Sequence, residues 1–493
     1  MDREREKPEW RVKVVNRQQL VMQTLDVEQL VGEDHPARSL WEFVGRQNLR
    51  SFYEPIRAVE GGVGRSAWDP QMLICLWVYA YSDGVSSARE IERLCQYQPV
   101  YQWLSGLQVV NYHTLSDFRV SHGEALRELF VEVLGVLASE GLITLHRVMH
   151  DGTKIKANAS RSSFRRQDRL QRHLQQAREQ IEHLEAKSGQ PVDRRMQQAQ
   201  KRAAEDRRRR LEQAVQELEK VREKKSGKEK DQARVSSSDP EARIMRHADG
   251  GFSPSYNLQL STDAASKMIV GVGISQNSSD FEELEAAMQE VKSNTGQLPG
   301  QLVVDGGYVS GDNIVQMSRE EIEMIAPLPD NEARTAGLGK RRQDPKYAAE
   351  QFTYQPANNT YRCPEGQTLV YISQEISHGQ TQFLYRAPME SCQGCAAKAN
   401  CCAANQAMGR SITRREPLPE VRQFYQRMAT PQAQAIYKQR SEVAEYPNLW
   451  LKEKFQLRRF RVRGATKVKI EALWASLAFN FCQWVRLTIP ASA

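Results

Sequence analysis

The sequence predicts an α/β protein in which a mixed-sheet core follows an all-helical N-terminal region and is split by an inserted basic coiled-coil hairpin and a Cys-bearing insertion. Three observations lead there. Apolar residues keep a helical period to about residue 140 and switch to strand-like runs after it. The whole excess of positive charge, +8, falls in one helical stretch. Five of the eight Cys lie between Cys363 and Cys402. The 493 residues suffice for about three domains. A mean hydropathy of −0.64 and apolar runs no longer than Met72–Tyr81 exclude a helical membrane span, which takes about 20 apolar residues. The start, Met1-Asp2-Arg3-Glu4, is charged and no apolar segment follows, so a cytoplasmic location is expected.

Residues 1–140 read as helices. Leu73, Leu76, Trp77, Ala80 and Tyr81 form one stripe, and Ala88, Ile91, Leu94 and Cys95 form another after the Asp83-Gly84 break. Thr114 is placed as the cap of a short helix leading to Arg119, a residue expected to contact DNA. Short helices joined by tight turns suit a helix-turn-helix DNA reader, and equally any small helical bundle. Residues 141–160 carry the first strand, Ile143–His150. Residues 161–235 hold 21 Lys or Arg and 13 Asp or Glu, counted to Gln232. Within them Leu170, Leu174, Ala177, Ile181 and Leu184, then Leu211, Ala214, Leu218 and Val221, alternate steps of three and four around Ser-Gly-Gln-Pro at 188–191, the pattern of a helical hairpin. Its run Arg207, Arg208, Arg209 and Arg210, with Lys224, Lys225, Lys228 and Lys230, suits a phosphate backbone; a solvated, dimerising helix pair fits the same pattern. Residues 236–330 return to the core with strands at Tyr256–Leu260, Met268–Ile274 and Leu302–Val304 and helices at Phe281–Val291 and Asp312–Ile322. Residues 331–432 are the loop-rich Cys-bearing segment, and residues 433–493 are C-terminal helices, the last packing onto the sheet.

Two acids end strands beside glycine, Asp151 in His150-Asp151-Gly152 and Asp305 in Val304-Asp305-Gly306-Gly307. A third acid on a helix, Glu445 or Glu442, completes the oxygen ligands that two divalent ions about 4 Å apart need for in-line phosphoryl transfer. His150 is read as a strand residue rather than a base, and Asp239, Asp263 and Asp280 as turn and helix-cap residues.

The blocks His150-Asp151-Gly152-Thr153-Lys154, Asp305-Gly306-Gly307-Tyr308 and Tyr437-x2-Arg440-x4-Glu445-x6-Lys452 together resemble the DDE transposases of bacterial insertion sequences. So do His113-Thr114-Leu115-Ser116-Asp117-Phe118-Arg119, Asp239-Pro240-Glu241-Ala242-Arg243 and Tyr256-Asn257-x-Gln259. The resemblance implies an RNase H-like core in which Asp151, Asp305 and Glu445 hold two Mg²⁺, with Mn²⁺ able to substitute. It implies double-stranded DNA as partner, at the element's inverted-repeat ends and at the target, and a homodimer or larger assembly on DNA. It gives Arg440 and Lys452 to phosphates and Tyr437 to the end strand. The alternatives are a DNA-binding relic that no longer cuts and a nuclease without joining activity. Two features depart from the pattern: four residues rather than three separate Arg440 from Glu445, and Pro447 interrupts the helix on which Glu445 and Lys452 would share a face.

Cys392-x2-Cys395, with Cys401 or Cys402 after it and Cys363 before it, has the spacing of a structural zinc site; unligated thiols are the other reading.

Overall fold

Proline at the first helical turn, preceded by a capping side chain, starts several N-terminal helices, because the ring presets φ where no N–H is needed. His35 caps α1 (Pro36–Gly45) in this way. After α2 (Arg50–Tyr53), Asp69 does the same for α3 (Pro70–Ser82). Helix α3 buries ten of its 13 residues and is the centre of the helical region. There follow α4 (Ala88–Leu94), α5 (Pro99–Leu104), α6 (Tyr112–Ser121) and α7 (Gly123–Ser139), of which α5 and α6 pack on α3. The cap of α6 is Asn111, whose side chain accepts from the His113 N–H at 2.8 Å, not Thr114. The computed structural model describes residues 17–20, 22, 24–58, 66–186, 194–328, 345–402 and 409–488.

The core sheet begins with β1 (Arg147–Lys156). Asp151 lies in the middle of this strand instead of ending it, because Gly152–Lys156 continue the antiparallel ladder with Ser255–Gln259. From β1 the chain passes through β2 (Phe164–Arg165) into helices α8 (Gln167–Ala186) and α9 (Arg194–Glu223), then returns through β3 (Val235–Ser236). Strands β2 and β3 pair with each other, so this basic segment leaves and re-enters at one point. Leu170, Ala177, Leu211, Ala214 and Leu218 bury themselves between α8 and α9, as their spacing predicts. The 188–191 turn lies outside the described residues. Buried Glu217 of α9 joins the pair to the core through Arg243 at 2.5 Å, in β4 (Arg243–Arg246).

Next come β5 (Phe252–Asp263), β6 (Ile269–Ser275), α10 (Leu284–Thr295), β7 (Gln301–Val303), α11 (Gly311–Arg319) and β8 (Glu323–Ile325). Strand β5 is antiparallel to β1 on one edge and to β4 and β6 on the other. Strand β7 is parallel to β1, and β8 is parallel to β7. This order and these directions are compatible with the RNase H-like core that the resemblance implies.

The segment predicted as loop-rich contains an antiparallel sheet of five strands: β9 (Thr353–Gln355), β10 (Thr360–Arg362), β11 (Thr368–Ser377), β12 (Gln380–Arg386) and β13 (Ser411–Pro417). Its central hairpin turns on His378 and Gly379, with φ of 52° and 70°. Positive φ at both residues suits the right-handed twist of a two-residue hairpin. Short helices α12 (Met389–Gln393) and α13 (Lys398–Cys401) bridge β12 and β13.

Helices α14 (Pro419–Met428), α15 (Pro431–Lys438) and α16 (Arg440–Leu449) follow, then a π-helical turn at Trp450–Lys454 and α17 (Ala465–Thr488). Helix α17 packs on α3, α7 and β6. There Asn480 accepts from the Ile269 N–H and donates to its carbonyl, both at 2.8 Å, satisfying an edge-strand residue. One apolar core runs continuously from Val31 through the sheet to Phe481.

Candidate active site

Strand pairing brings the two aspartates together. Met149 lies opposite Val303 on the parallel neighbours β1 and β7, so Asp151 and Asp305, each two residues on, emerge from adjacent strands in the same direction. Asp305 has left the ladder, and its carboxylate accepts from the Gly307 N–H at 2.7 Å. Helix α16 crosses this end of the sheet and supplies Arg440. Its guanidinium donates to Asp151 Oδ1 at 2.7 Å, and lies 3.7 Å from Asp305 Oδ2 and 3.9 Å from Glu445 Oε1. Three acids from three separate segments therefore meet around one cation. Among the described residues Arg440 lies within ion-pair distance of Glu445 and not of Glu442.

The departures from the expected spacing have a structural counterpart. Pro447 sits inside α16, and the backbone beyond it widens into the π-helical turn, where the Phe455 N–H bonds the Trp450 carbonyl at 2.9 Å. Such a turn re-phases a helix, often at functional sites. Lys452, on the π-turn, donates to Thr153 Oγ1, and so reaches β1 two residues beyond Asp151. Burial lowers the Lys452 pKa. Tyr437 is half-buried one helix earlier, with burial raising its pKa and Arg440 opposing the rise.

Burial pushes the Asp151 carboxyl up to about 6; the Arg440 charge works against this and the Asp305 charge adds to it. Asn448 donates to Asp151 Oδ2 at 2.9 Å, so both oxygens are held. His150 is fully buried between Ser261 and Gln259, at 2.9 and 2.8 Å, and burial lowers its pKa to about 4. A neutral imidazole sealed in this way packs the strand and has no access to a substrate proton.

Sequence reasoning missed the polar support beneath the acids. Asp280, read as a helix cap, instead accepts from Asn257 at 2.7 Å and Gln259 at 2.8 Å, while the Tyr308 hydroxyl donates to Gln259 at 2.5 Å. Gly152 is required beside them, since a Cβ there would stand 2.5 Å from both Asp280 Oδ1 and Gln259 Nε2. The available signal was Asn257-x-Gln259, a strand pattern that points two amides to one face. Asp239 and Asp263 do serve structure: the first accepts from Tyr256 and Gly464, the second from the Thr144 and Leu145 N–H groups.

Arg119 corrects an expectation. It is 4% exposed, lies 3.6 Å from buried Glu471 of α17, donates to the Ser86 carbonyl and stacks on Trp77, so its guanidinium ties α6 to the core and meets no DNA. Of the arginine run on α9, Arg207 contacts Gln180, Arg208 faces Glu212, and Arg209 and Arg210 open onto a cavity.

Carboxylate oxygens suit a hard divalent cation such as Mg²⁺. Two buried atoms at the site lack any hydrogen-bond partner, Arg440 Nε and Asn448 Oδ1, as expected where a polar ligand belongs. Among the described residues, no three His, Cys, Asp or Glu side chains close on one point as metal ligands; the acids are drawn to Arg440 instead. Cys363, Cys392, Cys395, Cys401 and Cys402 all line one small cavity beside Arg410, as free thiols. Burial raises the Cys401 thiol to about 11. Their sulfurs do not form a tetrahedral set.

The family described as Transposase DDE domain matches residues 362–485, and the one described as Transposase domain (DUF772) matches residues 25–121. Glu445, Arg440 and Lys452 fall within the first match; Asp151 and Asp305 lie between the two. No curated protein and no solved structure matches the chain. Transposase families at both ends, with an acidic site assembled from strands and a helix between and within them, identify an insertion-sequence DDE transposase.

Proposed function

We propose that the protein binds the inverted-repeat ends of its own insertion sequence, cuts them and joins them to target DNA by two-metal phosphoryl transfer. The observation that carries this is the convergence of Asp151, Asp305 and Glu445 on Arg440. When bound between the three carboxylates, Mg²⁺ would supply activation of the attacking oxygen and charge relief at the leaving oxygen. In cutting, a water oxygen bonds to phosphorus and the bond from phosphorus to the 3′ oxygen breaks, freeing a 3′-hydroxyl. In joining, that hydroxyl attacks a target phosphodiester and displaces the target's own 3′ oxygen.

The residues of the chain divide the remaining work. Arg440, which pairs with Asp151 in the absence of DNA, would turn its forked donors to a phosphate oxygen. Lys452, poised on Thr153, would hold the next phosphate as a point charge, and half-buried Tyr437 would contact the end strand. Asn448 keeps Asp151 oriented. Residues 161–235 and 331–432 would be insertions in an RNase H-like core, with residues 1–140 contributing to end binding. Because two ends must be held at once, a dimer or larger assembly on DNA is expected.

The test is a labelled fragment carrying the element's ends, incubated with the protein, Mg²⁺ and a supercoiled target plasmid. End-cut and plasmid-joined products are expected. Cutting without joined products would leave a nuclease; binding without cutting in Mg²⁺ or Mn²⁺ would leave a DNA-binding relic.

A further inference from the structure

Two cavities of about 840 and 620 Å³ adjoin beside residues 459–467: the first lies between α9 and residues 461–467, the second between the end of β1, residues 157–161 and Arg459. They share Asn158, Ser238 and Arg463. Arg209, Arg210, Arg461 and Lys467 line the first; Lys156, Arg161 and Arg459 line the second, which has no acid in its lining. In the first, Asp206 is taken by Arg209, and Glu241 by Gln213 and the Ala465 N–H, leaving Asp117. Lys156, Arg161, Arg210, Arg459, Arg463 and Lys467 form no ion pair with any described residue.

The shared floor is built. Arg463 Nε donates to the Asn158 carbonyl at 3.0 Å, and Asn158 Nδ2 donates to the Arg461 carbonyl at 2.7 Å. In the second cavity Lys156, Arg161, Arg459 and Arg463 gather with no acid in the lining, and like charges so gathered repel, so the site favours a polyanion. No aromatic residue lines either cavity, which removes base stacking and leaves phosphate contacts. The position also fits. Strand β1 runs from Asp151 to Lys156, about 17 Å at strand rise, and the Phe460 N–H bonds the Lys156 carbonyl at 2.9 Å, joining the groove to the catalytic strand.

We propose that this groove holds the phosphodiester backbone of the DNA flanking the scissile position, independently of its sequence. This rests on the transposase reading above. Neutralising each phosphate contact contributes about 0.9 to the slope of log affinity against log salt.

The test measures binding of full-length protein by fluorescence anisotropy, with Ca²⁺ replacing Mg²⁺ so that no cutting occurs. The probes are duplexes carrying an element end with long flank, the same end with trimmed flank, and random sequence. Two double variants are compared, Arg459→Ala with Arg463→Ala and Arg210→Ala with Lys467→Ala, against the exposed control pair Lys292→Ala with Arg319→Ala. The groove pairs should lower the salt slope by about 1.8 and weaken long-flank and random DNA alike, with little effect on the trimmed end. Wild-type slopes in both groove pairs, losses equal to the control, or losses confined to the element's own sequence would each overturn the groove assignment. The first two would leave the transposase reading standing, because that reading is judged by cleavage in Mg²⁺.

Discussion

In the candidate site, Asp151 is a part-buried carboxylate held from two sides. Burial alone would favour its neutral form, yet Arg440 and Asn448 each hold one of its oxygens. A hydrogen bond to a charged group contributes about 1.5–3 kcal/mol, so Asn448→Ala should slow end cutting by about 10- to 100-fold. Single-turnover cutting rates check this, with DNA affinity expected to hold; an unchanged rate would remove Asn448 from the site. Asp151, Asp305, Glu445 and Arg440 were legible in the sequence because they sit in ordered blocks that resemble a known family. Asn448, Gln259 and Asp280 were not, since an amide or an isolated acid carries no motif and its role appears only when β5 and α16 are brought beside β1. Arg119 was misread for the same reason: its block is recognisable, but its direction depends on Glu471, 352 positions later in the chain.

At the scale of elements, the π-helical turn and the hairpin of β11 and β12 do the positioning. The hairpin tip meets the start of α11 backbone to backbone: a Cβ on Gly311 would lie 1.9 Å from the His378 carbonyl oxygen, and His378 also contacts Asp312 at 3.0 Å. Gly311→Ala should therefore lift the five-stranded sheet off the core, at a cost of about 1–3 kcal/mol. Faster limited proteolysis within 353–417 is the expected sign, and a wild-type digestion pattern would contradict it. Strand periodicity revealed the middle of β5 and nearly all of β6, but three-residue strands such as β8 are too short to show a period, and the His378-Gly379 turn was overlooked among Pro, Asn and Gln. The cysteines were legible as a group and gather around one cavity. If they hold structural zinc, purified protein should carry it in stoichiometric amount and lose it in Cys392→Ser with Cys395→Ser, measured by elemental analysis; metal-free protein would leave unligated thiols.

For the whole molecule, the N-terminal helices and the central mixed sheet share one apolar core, closed by α17. The buried Arg119 and Glu471 pair lies within that seam, where Glu471 also accepts from the Arg461 and Val462 N–H groups. Removing one partner of a buried pair strands the other charge, so Arg119→Ala should cost about 3–5 kcal/mol in chemical denaturation; a change under about 1 kcal/mol would show that the seam does not depend on it. DNA gripped by the helical region would thereby stand in fixed relation to the carboxylates.

The most direct measurement compares wild type with Asp151→Ala, Asp305→Ala, Glu445→Ala and Glu442→Ala on labelled element ends, scoring binding in Ca²⁺ and cutting in Mg²⁺. All five proteins should bind, only wild type and Glu442→Ala should cut, and omitting the divalent ion should abolish cutting. Cutting that persists in any of the three acid variants, or in the absence of a divalent ion, would contradict the two-metal triad.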